Sequence, residues 1–272
     1  MITLRAGSSE AVLYPRGAYL SALRRYGVDV ILPGSPERQT RGGMAILMPF
    51  ANRVRGGIYE IDGATYSLPK NAEGHAIHGL VMNREWALAY LSDRSAVFAL
   101  ELSHEGYPSR LLCKVSYRLS DGLLEVFLEA TNLGPRRAPL VAGAHPYFVV
   151  EEPWAIRAKR PMRCVAVGKI PTGEFAPHEF GVGGNYDDCF LVAEDPVVLE
   201  SPHSVIKLER RDMPYIQVYT GVVGAVALEP MSGAPDAYHN GLGLKILAPG
   251  ETARFWFSMS FQLGRGPLRR SP

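Results

Sequence analysis

Cysteine is scarce in this chain. Cys113, Cys164 and Cys189 are the only three in 272 residues, odd in number and far apart. A disulfide-stapled fold needs an even set at regular spacing, so the count argues against one and for a reducing compartment. No Cys-x-x-Cys occurs, which argues against the usual structural zinc site. Helix-type stripes are missing as well: no window of about 11 residues or more repeats apolar side chains at i, i+3, i+4 and i+7. No run approaches the ~20 apolar residues of a membrane span, and the segment from Met1 to Glu10 has no apolar signal core. Charge of one sign is lacking too, since the net charge of +2 gives no pull toward nucleic acid or a membrane. The local exception, Arg265 to Arg270 with three arginines, reads as a solvated terminus. Together these absences lead us to expect a soluble cytoplasmic protein, monomer or homodimer, without nucleic-acid or membrane partners.

Turn residues and strand alternation are what the chain does have. There are 28 glycines and 21 prolines, and apolar residues recur mostly with a period of two. The segment from Thr252 to Phe261 reads as one strand with its larger apolar residues mainly on one face. Two hairpins are expected where Asp-Gly separates alternating runs, at Asp121-Gly122 and at Asp62-Gly63, because a type I′ turn needs positive φ at both central residues. The span from Val150 to Gly184, with Pro153, Pro161, Pro171 and Pro177, is the least regular. We expect it to lay loops and short strands over the sheet. At this length an all-β chain is often one domain, here 1–272. The pattern predicts a sandwich or barrel.

The most informative stretch is Ala144-His145-Pro146-Tyr147-Phe148. Histidine titrates nearest neutrality, so His145 can give and take a proton at working pH. Pro146 fixes its own φ and removes a backbone donor, stiffening the place where the imidazole sits. Tyr147 and Phe148 offer flat faces of the kind that pack against sugar rings, although core packing is their commoner role, as it is for Trp86 and Trp154. Upstream stand Asn52-Arg53 and His78-Gly79; downstream stand Asp187-Asp188-Cys189-Phe190 and Leu228-Glu229-Pro230. Glu229 follows the apolar run Val226-Ala227-Leu228, so a position at the end of a buried strand is expected, with Pro230 closing the ladder. Partial desolvation there raises a carboxyl pKa. The plainer reading of Glu229 is a capping or ion-paired surface glutamate. Arg53 and Asp187 are open to a similar reading, an ordinary ion pair, even with each other. His75 and His78 are spaced as a metal pair, but Gly74 and Gly79 bracket them and no third ligand stands out.

In this order, Asn-Arg, His-Gly, His-Pro-Tyr-Phe, Asp-x-x-Phe and Leu-Glu-Pro resemble the aldose 1-epimerases (galactose mutarotase family), from about Arg41 to Phe261. The resemblance implies a large twisted antiparallel β-sandwich with a cleft on a concave face. It implies a monosaccharide substrate, no cofactor and no metal. It places the base at Glu229, the acid at His145 and a supporting imidazole at His78, with Arg53 and Asp187 on the sugar hydroxyls and Asn52 and Tyr147 beside them. Base and acid are expected on opposite sides of the C1–O5 bond.

Three departures bear on substrate. Asp188 stands where the family has histidine, leaving open which carboxylate faces the sugar. Met231 replaces a frequent glutamine. Leu80-Val81-Met82 follows His78-Gly79 where sugar-phosphate epimerases often carry Phe-Ala-Arg, which leaves Arg84 or Arg55 as substitutes. Free aldohexoses such as glucose or galactose are therefore the expected substrates. A hexose-6-phosphate 1-epimerase and a non-catalytic carbohydrate-binding sandwich are the alternatives. A glycosidase would want a second carboxylate beside Glu229.

Overall fold

The alternation of apolar and polar residues builds two large antiparallel sheets with their apolar faces turned toward each other, beside three two-stranded ones. The structure, a computed structural model, describes residues 1–264, so the arginine-rich terminus lies outside the described residues. Strand accounts for about 56% of the chain and helix for 3%. The site therefore stands on strands and loops. One sheet has eleven strands and the other eight. A single large apolar cluster fills the space between them, taking Leu13, Leu23 and Ile46 from the first sheet and Phe98, Val126 and Phe257 from the second. No helix among the described residues is long and apolar enough to cross a membrane.

Strands Leu111–Ser120 and Leu123–Asn132 pair with Ser120 opposite Leu123, and alternate residues along both are buried. The final strand, Thr252–Leu263, joins the same sheet beside Leu123–Asn132. The second hairpin pairs Ile58–Ile61 with Ala64–Ser67 across Asp62-Gly63. There both turn residues have positive φ, +53° and +73°, as a type I′ turn requires. At the other Asp-Gly turn only Gly122 does, with φ +76°. Asp121 departs from the expected conformation, and its carboxylate reaches across to the other sheet. It accepts from the Ser8 backbone N–H (3.1 Å) and hydroxyl (2.6 Å), tying this turn to the first strands of the opposite sheet.

The proline-rich span from Val150 to Gly184 does more than lie over a sheet. Its strands Met162–Val167 and Ile170–Pro177 form a hairpin that completes one edge of the eleven-stranded sheet, and Ala155–Arg157 edges the other. Proline is tolerated at such edges, where a missing donor breaks no inner ladder.

The eleven-stranded sheet positions the site. Within it, Gly143–Val149, Ala225–Met231, Tyr215–Val222 and Asp187–Leu191 run side by side. Glu229 is not at a strand end, since pairing with Tyr215–Val222 continues through Ile216 opposite Pro230 to Tyr215 opposite Met231. The ladder lapses instead on the other side, between Ala144–Pro146 and Leu228–Pro230. Each of those segments contains a proline with no N–H to give.

Candidate active site

Sheet register places the principal side chains. Gly143 pairs with Met231 and Tyr147 with Ala227, so His145 falls opposite Glu229. Glu229 in turn pairs with Gln217. Two residues along, a second row on the same face runs Tyr147, Ala227, Tyr219 and Asp187. Side chains two apart on a strand share a face, so these two rows pave one floor.

His145 and Glu229 are in contact on that floor. Nε2 of the imidazole lies 3.3 Å from Oε1 of the carboxyl. They stand side by side on neighbouring strands, not facing each other across a gap. Both are almost shut off from solvent, at 4% and 1% exposure. Burial, helped by the Asp187 charge and opposed by Arg53, pushes the Glu229 carboxyl well above the usual range. Burial, and then His78, hold the His145 imidazolium well below its usual value. Both shifts favour the uncharged forms, and at 3.3 Å a proton on either group is within reach of the other, so the two are coupled.

Tyr147 also contacts the imidazole. Its ring stacks on His145 at 4.6 Å, and burial keeps its phenol protonated. Its hydroxyl donates to the Thr40 carbonyl at 2.7 Å, so toward His145 Nε2, 3.4 Å away, it can only accept. A proton on Nε2 therefore has two acceptors within reach, this hydroxyl and Glu229 Oε1.

A short strand and two loops form the wall above the floor. Arg53–Val54 pairs with Ala76–Ile77. Asn52, at φ +55°, turns its side-chain oxygen onto the Arg53 N–H (2.9 Å) and guanidinium (3.2 Å), while its carbonyl accepts from His78 N–H. His78 takes φ +62° and Gly79 +82°. A Cβ on Gly79 would sit 2.2 Å from the Met48 carbonyl oxygen, so only glycine fits after this histidine. The His78 ring meets His145 edge-on at 5.4 Å. Burial, then the Arg53 charge, lower the His78 pKa to about 4 against an opposing pull from Asp187. His78 is thus a neutral hydrogen-bonding group at working pH. His75 serves the loop, its Nδ1 accepting from Gly56 N–H at 3.0 Å.

All seven sequence-chosen residues, Asn52, Arg53, His78, His145, Tyr147, Asp187 and Glu229, line one cavity of about 240 Å³. Sites for drug-sized ligands run about 300–1,000 Å³, so this one has the scale of a single sugar ring. Three buried polar atoms without partners belong to its lining, His78 Nδ1, His145 Nδ1 and Glu229 Oε2, and a fourth, Gln217 Oε1, belongs to the residue paired with Glu229 on the next strand. A larger cleft of about 420 Å³ beside Arg210 and Asp195 has none of the buried partnerless atoms in its lining.

Asp187 lines the cavity, whereas Asp188 points away and pairs with Arg163 at 2.6 Å. Arg53 and Asp187 are ion-paired, but not with each other. Arg53 Nη2 lies 2.9 Å from Glu73 and Asp187 lies 2.7 Å from Lys169 Nζ. Neither Arg55 nor Arg84 lines the cavity; Arg41 does. Trp86, Trp154 and Phe148 are core residues.

Sequence reasoning missed Glu73, Lys169, Gln217 and Tyr219. Gln217 and Tyr219 had a usable signal, as polar positions two apart in the alternating run Ile216-Gln217-Val218-Tyr219. Gly168-Lys169 between Met162–Val167 and Ile170–Pro177 is a two-residue turn that alternation could have revealed. Glu73 carried none.

The chain is thus an all-β sandwich that sets a carboxyl against an imidazole at the base of a small polar cavity. The aldose 1-epimerase family model matches residues 1–260, and the chain belongs to that family. It is 28% identical over 283 residues to uncharacterized protein YihR of Escherichia coli K12, covering 95% of this chain and 92% of that one. Against galactose mutarotase of Pongo abelii it is 30% identical over 159 residues, 54% of this chain and 45% of that one. In fold it is similar to the GalM/aldose epimerase homologue of C. elegans, with TM-score 0.86 at 17% identity, covering 97% and 99% of the two chains. A galactose mutarotase-like protein of Clostridium acetobutylicum gives TM-score 0.84 at 18% identity, covering 96% and 94%.

Proposed function

We propose that the protein is an aldose 1-epimerase that interconverts the α and β anomers of free aldohexoses such as glucose or galactose. The observation that carries this reading is the 3.3 Å contact of His145 Nε2 with Glu229 Oε1 beneath a sugar-sized cavity, with Glu229 Oε2 left unpartnered. Ring opening needs a proton taken from the C1 hydroxyl and one given to O5. Two adjacent groups sharing one proton supply both.

The sugar's C1 hydroxyl donates to Glu229, which favours the ionised carboxylate and places the shared proton on His145. Glu229 then takes the O1 proton as the C1=O bond forms. The C1–O5 bond breaks, and O5 takes the proton from His145 Nε2. The aldehyde turns about C1–C2 and the same transfers run backward on the other face, which returns each proton to its origin. Arg53 and Asp187 hold hydroxyls meanwhile, and neutral His78 offers a hydrogen bond without adding charge. Paired acid–base action of this kind is worth about 10²–10⁴-fold.

Neutral sugars fit the balance of charge. The inner cations Arg53 and Lys169 are already matched by Glu73 and Asp187. Arg41 on the rim is the feature favouring the second reading, a hexose-6-phosphate epimerase. A lectin-like role has no use for the buried carboxyl–imidazole pair. Polarimetry on freshly dissolved α-glucose and α-galactose tests the proposal: rates well above buffer support it. Saturable turnover of glucose 6-phosphate in preference to glucose would favour the second reading, and sugar binding with no rate above buffer would favour the lectin.

A further inference from the structure

Lys169 reaches the cavity from a part of the chain that contributes nothing else to its lining. Val167 pairs with Ile170, so Gly168-Lys169 forms a two-residue turn at the tip of an edge hairpin. Both residues have positive φ, +56° and +68°, the type I′ geometry. A lysine is strained in that conformation, and nothing in the turn itself requires one, since glycine or asparagine serves better there. From this tip Nζ comes within 2.7 Å of Asp187 Oδ2 and 3.7 Å of Glu73 Oε1.

The contacts form a row of alternating sign along one side of the cavity. Arg53 meets Glu73 at 2.9 Å, Glu73 meets Lys169, Lys169 meets Asp187, and Asp187 Oδ1 accepts from Gln217 Nε2 at 3.0 Å. An ammonium has three donors, and an ionised carboxylate has about four lone-pair sites, so Lys169 and Asp187 each keep capacity. A sugar hydroxyl both donates and accepts. Bonded to this pair, it accepts from the ammonium and donates to the carboxylate. Asp187 stands two strands across and two residues along from Glu229, a backbone separation of about 12 Å. With C1 over Glu229 and His145, the hydroxyl at this pair is on the far side of the ring.

We infer that Lys169 is a specificity-determining residue, its ammonium and the Asp187 carboxylate together reading one hydroxyl of the sugar remote from C1. The inference rests on the mutarotase reading of the site. It deepens that reading by assigning discrimination between aldose epimers to a hairpin outside the family's short motifs.

The test pairs variants with deoxy sugars. Mutarotation is followed for glucose and its 3-, 4- and 6-deoxy analogues with unmodified protein, Lys169→Met and Lys169→Arg, each checked for an unchanged melting temperature. Lys169 is 45% exposed and Asp187 30%, so the loss is expected to be about tenfold, well short of the 10⁴–10⁵ seen where a fully buried group is left unpaired. Lys169→Met should raise KM for glucose about tenfold and lower kcat less. On one deoxy sugar, the one lacking the hydroxyl read, it should add no further loss. Lys169→Arg should recover part of the glucose KM. An unchanged KM, or the same fold loss on every deoxy sugar, overturns the inference while leaving the mutarotase reading intact. Absence of mutarotation by the unmodified protein overturns both.

Discussion

Replacing Glu229 by glutamine should move activity and stability in opposite directions. Glutamine keeps the volume of the side chain, so the packing around this 1% exposed position survives. What disappears is the proton acceptor. No neighbouring carboxylate can take over: Asp187 is held by Lys169 and Gln217, and Glu73 by Arg53. The expected loss in kcat/KM is about 10²–10⁴-fold, or roughly 3–5 kcal/mol of transition-state stabilisation. Stability follows from the raised pKa. A carboxyl whose folded value is raised contributes stability that is fully present below its unfolded value, 4.5, and is lost as pH rises toward the folded value. Glutamine behaves like the protonated acid at every pH. The variant should therefore match the unmodified protein near pH 4 and exceed it at neutral pH. Relief of one strained functional site is worth about 0.5–2 kcal/mol, at about 2–4 °C per kcal/mol for a chain of this class. Polarimetry gives the first quantity and thermal unfolding at pH 4 and pH 8 the second. Activity within tenfold of the unmodified protein, or a melting-temperature gain independent of pH, would refute the reasoning.

Other consequences are equally direct. His78, with its pKa lowered to about 4, contributes stability present above 6.5 and lost as pH falls toward 4. Denaturant titrations should show that His78→Asn loses less stability over this interval, by up to roughly 3 kcal/mol. Asp236 is buried and accepts from the Arg55 N–H at 2.7 Å, while its own N–H donates to the Arg53 carbonyl. Asp236→Ala strands a backbone donor, so it should cost about 1–3 kcal/mol by chemical denaturation and raise KM through a loosened Arg53. Tyr147→Phe removes the hydroxyl shared by the Thr40 carbonyl and His145 Nε2. A stability loss of about 1 kcal/mol with lowered kcat is expected; unchanged kinetics would remove Tyr147 from the site.

Local chemistry made much of the fold legible. The Asp62-Gly63 turn and the alternation along Leu111–Ser120, Leu123–Asn132 and Thr252–Leu263 are written in neighbouring residues, and a sheet's period of two carries them into structure. Asp121 escaped because its contacts with Ser8, more than a hundred positions away, have no signature in neighbouring residues. The site divides in the same way. His145 and Glu229 could be picked by residue type and motif, but their contact depends on cross-strand register, which no local pattern encodes. Pro230 looked like a strand terminator because proline removes a donor; the sheet absorbs the loss by opening the ladder on the His145 side alone. Lys169 and Glu73 matter through ion pairs closed only by folding, so residue type gave little notice of them.

The most direct measurement is a crystal structure with glucose bound. The account predicts the sugar in the cavity between Tyr147 and Asp187, with O1 and O5 each within about 2.6–3.2 Å of one member of the Glu229–His145 pair. A ring held with C1 toward Lys169 and the cavity mouth, and neither oxygen near that pair, would contradict it.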